Sequence, residues 1–200
     1  MQRNVSFTLF NIGINIHVSY LYIFAIALPG SLSFTYPTNI EVYPIFVVFI
    51  SLILLVHELG HAFAARFFKC AIHSINFNLM GGDCGYEDNG NEHHALIIAA
   101  GGIAAQISVL ITAAAAIRLV DIYFPADENN PFYISFYFTF IYYNILIIII
   151  NLIPRYGTDG QRIKELLRSR ASSKRTKLFH TKKAVNPKAI FEKMMDDARK

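Results

Sequence analysis

The stretch LLVHELGHAFAARFF, residues 54–68, places two histidines and a glutamate inside a run apolar enough to enter a lipid bilayer. His57 and His61 are four residues apart, so on a helix both rings project from one face and can meet at a single metal ion. Glu58, beside the first histidine, is placed to act as general base on a metal-bound water and later to protonate the leaving amine. Gly60, between the two histidines, leaves room for a close approach. Ionisable groups inside a membrane span are costly, so the trio reads as a metal site and not as three unrelated interior side chains.

The rest of the chain agrees with a membrane setting. Of its 200 residues 54% are hydrophobic and 16% charged, and the mean hydropathy is +0.39, more apolar and less charged than a soluble domain. The length allows one domain with a handful of spans, and there is no internal repeat. The net charge of +4 comes from Lys and Arg crowded between Arg155 and Lys188. A basic cluster that follows a hydrophobic span reads as a cytoplasmic anchor on anionic membrane lipid, with no nucleic acid as partner. Cys70 and Cys84 are spaced unlike a zinc-binding pair and read as small buried apolar residues, not a disulfide. Residues 14–29 are apolar but lack a basic start and a small-residue cleavage site, so they read as retained.

Along the chain, VSFTLFNIGINIHVSY (5–20) alternates apolar and polar residues, which predicts a strand or hairpin at the membrane edge. A first span is expected over His17–Leu28. A second runs from Ile40 to Phe68, and at about 1.5 Å per residue it exceeds a bilayer core of about 30 Å, so its end must emerge or tilt. CAIHSINFNLMGGDCGYEDNGNEHH (70–94) favours a strand or hairpin. A third span, Ala95–Val120, holds the small residues AAGGIAAQ (99–106), which permit close packing. A fourth, Phe132–Ile153, ends in NLIPRYGTDG (151–160). The expected fold is therefore an α-helical integral membrane protein, with about four transmembrane helices and small β-strand or hairpin elements at the cytoplasmic membrane edge. Lys and Arg are absent from the loops near 30–40 and 121–131 but present at Arg3, Arg66, Lys69, Arg155 and in the tail. That asymmetry puts both termini, the HELGH end of the second span and the TDG segment toward the cytoplasm. Residues 1–165 form the membrane domain. Residues 166–200 form a basic tail: the end of a short helix, a linker SRASSKRTK (169–177) and a final amphipathic helix (187–200) that docks on lipid or a partner or stays solvated.

A catalytic zinc takes three protein ligands and keeps one open position. A third histidine six residues after the second, as some soluble zinc proteases have, is absent because that residue is Phe67. Asp83, Glu87, Asp88, His73, His93, His94 and Asp159 remain. Residues 83–94 lie in a polar loop and read as a solvated surface. Asp159 sits just past a span end on the side of His61, after the helix-breaking Pro154 and between Gly157 and Gly160, which let the backbone turn inward. Capping the helix that begins GQRIKELL is its alternative role.

HELGH in one span and NLIPRYGTDG at the end of another, about ninety residues later, resemble the site-2 protease family of intramembrane zinc metalloproteases. Asn151, Pro154, Asp159 and Gly160 stand at each spacing of that family's NxxPxxxxDG motif. FNIGINIHVSYLYIF (10–24) and NLMGGDCGY (78–86) are similar to its amino-terminal strand segment and to the glycine pair after its motif helix. The resemblance covers residues 7–165. It implies one catalytic Zn2+ held by His57, His61 and Asp159, with Glu58 as catalytic base and Asn151 positioning substrate or an ordered group. Some members carry a glycine-proline pair and an asparagine in the third span; here Gly102 and Gln106 are the positions read for that positioning role. The implied activity is hydrolysis of peptide bonds in or near transmembrane segments of membrane-anchored protein substrates, with a regulatory membrane partner compatible with it. A non-catalytic binding or chaperone relative and a metal transporter are the competing readings. Substrate identity and oligomeric state are left open.

Overall fold

The computed structural model describes residues 4–22, 42–78, 81–123, 130–183 and residue 197. The alternating opening segment forms two strands, β1 (Asn4–Leu9) and β2 (Ile12–His17), paired antiparallel. Their two-residue turn has Phe10 and Asn11 at φ 52° and 62°, the left-handed conformation that matches the twist of a hairpin. The turn is fastened elsewhere too. Arg66 donates to the Phe10 carbonyl at 3.1 Å, and the Phe10 ring packs on Phe63 with centroids 5.7 Å apart. A 3-10 turn, Val18–Leu21, follows, capped by His17 Nδ1, which accepts from the Ser19 amide.

Helix α1 (Val42–Phe67) leads into β3 (Ile72–Asn78) and β4 (Gly81–Tyr86), an antiparallel pair. β3 pairs parallel with β2 on its other side, giving one sheet in the order β1-β2-β3-β4. The period of two sorts its faces. Ile12, Ile14, Ile75, Phe77 and Cys84 are buried with Leu59 and Ala62 of α1, whereas Ser6, Asn15, Ser74 and Asn76 hydrogen-bond across the opposite face. The sheet thus lies against the HELGH part of α1.

Helix α2 (Glu92–Tyr123) and a third long helix, α3 (Pro131–Leu152), complete the apolar layer. Within α3, Phe138–Tyr143 is a π-helical segment. Next to it the Asn144 amide donates to the Gln106 carbonyl of α2 at 3.0 Å. Among the described residues, α1, α2 and α3 are the helices long and apolar enough to cross a membrane. Leu52, Ile107, Ile111 and Ile149 remain exposed on them, as side chains facing acyl chains would be. α1 and α2 meet through Gly60 and Gly101: a Cβ on Gly101 would lie 2.7 Å from the Gly60 carbonyl, and one on Gly60 would overlap the Gly101 carbonyl.

Two expectations change. The span over His17–Leu28 does not begin where expected, because His17 ends β2 and the 3-10 turn follows; its remainder lies outside the described residues. The proposed linker 169–177 is helical, part of α4 (Asp159–Lys183). Its Ser, Lys and Thr content resembles a linker, yet it contains no Gly or Pro, and its Ala, Lys and Arg are good helix formers. The final helix expected over 187–200 falls, apart from residue 197, outside the described residues.

The glycine crossing yields a stability test. Gly60→Leu should lower the thermal midpoint in detergent by an amount equivalent to about 1–3 kcal/mol or more, while Ala104→Leu, on the exposed side of α2, should change it little. A Gly60→Leu protein as stable as wild type would mean that the helices do not cross here.

Candidate metal centre

His57, Glu58 and His61 lie near the C-terminal end of α1 and are 6%, 5% and 8% exposed. A buried polar side chain needs partners. His61 donates from Nδ1 to the Ile98 carbonyl at 2.7 Å, and His57 from Nδ1 to Gln106 Oε1 at 3.0 Å. With Nδ1 of each ring engaged as a donor, Nε2 is the atom left to face a ligand. Those Nε2 atoms face each other at 3.2 Å.

Asp159 arrives from the opposite end of the chain. After Leu152, Pro154 and Gly157 turn the backbone, Gly157 at φ 81°, and α4 begins at Asp159. The helix is capped by Thr158, whose Oγ1 accepts from the Gln161 amide at 3.3 Å, so the capping role does not occupy the Asp159 carboxylate. Oδ2 lies 3.3 Å from His57 Nε2, and Oδ1 lies 3.3 Å from His61 Nε2. An ionised carboxylate in that place is the form a metal ligand takes.

The three donors fit a small divalent ion. Ligand atoms each about 2.0–2.1 Å from a tetrahedral zinc are separated by about 3.3 Å; here the two Nε2 atoms are 3.2 Å apart, and each has a different oxygen of Asp159 at 3.3 Å. Oδ2 has no hydrogen-bond donor although it is buried, which a cation would remedy. Two nitrogens and a carboxylate oxygen are a borderline donor set suited to zinc.

Glycines shape the walls. A Cβ on Gly102 would overlap the His61 ring and come within 2.6 Å of His57 Cε1, and one on Gly82 of β4 would overlap the Glu58 carboxylate. α2 thus backs the histidines while β4 covers Glu58. All four ionisable groups open onto a cavity of about 530 Å³ also lined by Asn151 and Arg162. Arg162 stacks over the Tyr86 ring at 4.9 Å. Burial, together with the charges of Glu58 and Asp83, pushes the neighbouring Cys84 thiol up to about 12.

Of the residues singled out in the sequence, His57, His61 and Asp159 converge, Glu58 and Asn151 line the same cavity, and Gly102 abuts the two imidazoles from α2. Gln106 is not in the cavity lining: its side chain lies behind His57, orienting the ring. The other candidates lie apart from the cluster. His73 and Glu87 form an exposed pair at 3.8 Å, Asp88 accepts from the Gly90 amide, and His94 stacks on Phe68. Asp83 lines the cavity without joining the donor group. The Ile98 carbonyl was not foreseeable, since any residue type supplies one. The Gly81-Gly82 pair did carry a signal, although not its meaning as the wall over Glu58.

No family model matches the chain. Stage IV sporulation protein FB of Bacillus subtilis (strain 168) is 31% identical over 133 residues, which cover 60% of this chain and 38% of that protein. The chain thus spans well under half the length of that relative. The solved structure of a site-2 protease from Methanocaldococcus jannaschii superposes with a TM-score of 0.59 at 20% identity, over 84% of this chain and 73% of that one. The chain therefore has the fold of a site-2 protease, and the resemblance to that family carried by its two motifs holds in three dimensions.

Proposed function

We propose that this chain is an intramembrane zinc endopeptidase that hydrolyses peptide bonds in or near transmembrane segments of membrane-anchored proteins. The observation that carries this reading is the convergence of His57, His61 and Asp159, with each histidine 3.3 Å from the carboxylate and a buried glutamate beside them, opening on a polar cavity at the end of a spanning helix. Residues 1–165 make up the membrane domain, residues 166–200 the basic tail, and the site lies toward the cytoplasm, where Lys and Arg concentrate.

His57, His61 and Asp159 hold the ion, which when bound lowers the pKa of a coordinated water toward neutrality and polarises the scissile carbonyl. Glu58 takes the proton of the attacking water on its carboxylate and delivers it to the departing amide nitrogen. Gln106 and the Ile98 carbonyl keep both imidazoles in the tautomer that presents Nε2. Asn151, on the cavity wall, is placed to hold the substrate backbone.

A helical peptide bond has its backbone groups occupied and must be unwound before it is cut. Strand addition at a sheet edge satisfies the groups that unwinding frees. β2 and β3 are paired on both sides, so the edges are β1 and β4, and β4 is the one beside Glu58. The extended substrate adds to β4.

Two outcomes test the reading. With tagged single-span proteins as substrates, Glu58→Gln should retain about one zinc per chain and lose cleavage by about 10²–10⁴-fold, whereas Asp159→Ala should lose the zinc. Equal cleavage by wild type and Glu58→Gln would exclude this chemistry, and metal flux into vesicles without cleavage would favour a transporter. A proline scan through 81–86 should reduce cleavage at positions where the protein still folds, while one through 4–9 should not. A folded set of β4 variants with full activity would remove β4 as the docking edge.

A further inference from the structure

Beyond the catalytic cavity, a second groove of about 410 Å³ runs between the end of α3 and the first turns of α4. Gly160, Ile163, Lys164, Leu167, Arg168 and Ala171 recur at helical spacing along one stripe of α4. Leu152 and Pro154 form the facing wall. A Cβ on Gly160 would overlap the Leu152 carbonyl, so here the two backbones pack directly, one residue from Asp159.

This groove combines two chemistries. Its lining is largely apolar and open: Leu152 and Leu167 are 52% and 51% exposed. Lys164 and Arg168, one turn apart, are exposed at its border. Among the described residues, neither is in an ion pair with a carboxylate. The groove also sits where a span ends: Ile149, Ile150 and Ile153 are exposed apolar side chains just before it, and the chain then becomes polar through Arg155 and the wholly exposed Tyr156. At that depth an acyl chain and a phosphate lie side by side.

We propose that the groove binds an anionic phospholipid, with its phosphate between Lys164 and Arg168 and the upper part of an acyl chain against Leu152, Ile163 and Leu167. A soluble anion would leave the leucines exposed. A neutral lipid would leave the two cations without a counter-charge. The i, i+4 spacing of Lys164 and Arg168 directs both toward one headgroup. Occupancy would brace the α3–α4 junction from which Asp159 projects.

The test uses the full chain purified in detergent and transferred to nanodiscs of mixed phosphatidylglycerol and phosphatidylcholine, with retained lipid counted by native mass spectrometry. Wild type should keep phosphatidylglycerol in preference to phosphatidylcholine. Lys164→Ala with Arg168→Ala should weaken that retention by about 30-fold, the combined effect expected for two cations at a lipid surface. Leu167→Glu, which puts a negative group among the apolar ones, should weaken it as well. Lys174→Ala with Arg175→Ala removes the same charge further along the helix and should retain the lipid. If the two double variants lose lipid equally, diffuse attraction replaces the site; if the groove variants retain it fully, or wild type holds both lipids alike, there is no such site. Lipid retention is read without cleavage or metal, so its failure is distinguishable from failure of the protease reading.

Discussion

Two imidazole nitrogens 3.2 Å apart, each with an oxygen of one carboxylate at 3.3 Å, repel unless a cation or a proton lies among them. The chain spends considerable structure on holding them there. His61 is fixed by a carbonyl of α2, His57 by a side chain of α2, and Asp159 by a turn that reverses the path of the backbone after α3. An arrangement that costs so much without an ion is explained by one. The geometry, the free Oδ2 and the tautomers imposed by the hydrogen bonds at Nδ1 all favour the same occupant.

Close approach is what permits this in so small a chain. Gly60 and Gly101 bring α1 and α2 into backbone contact. That contact places Ile98 and Gln106 within reach of the two rings and leaves Gly102 as the floor beneath them. Gly82 does the same for β4 and Glu58. In lipid, helix association gains little from hydrophobic burial and depends on packing and interhelical hydrogen bonds, so these positions serve the fold and the site together. The sheet, meanwhile, presents a strand edge beside Glu58, where the proposed chemical step and the proposed unwinding of a helical substrate would meet.

Much of this was legible in the residues. The 3.6 and 2.0 periodicities separate helices from strands, and the i, i+4 histidines with their adjacent glutamate state their chemistry locally. Asp159 was legible because Pro154 and the flanking glycines mark a turn at the end of a span. What the sequence hides is set by tertiary contact. The role of Gln106 depends on where α2 crosses α1, and the Ile98 carbonyl has no side-chain signature. Residues 169–177 look like a linker by composition, yet nothing in them breaks a helix, and the propensity of Ala, Lys and Arg prevails. Which strands form the sheet edges is set by the order β1-β2-β3-β4, which alternation alone does not reveal.

The most direct measurement of the central claim is zinc K-edge X-ray absorption on the purified, metal-loaded wild-type chain. The expected result is a four-coordinate shell of two imidazole nitrogens and two oxygens at about 2.0–2.1 Å, one oxygen from Asp159 and one from solvent. A shell containing sulfur, a shell without imidazole, or a chain that binds no zinc would contradict it.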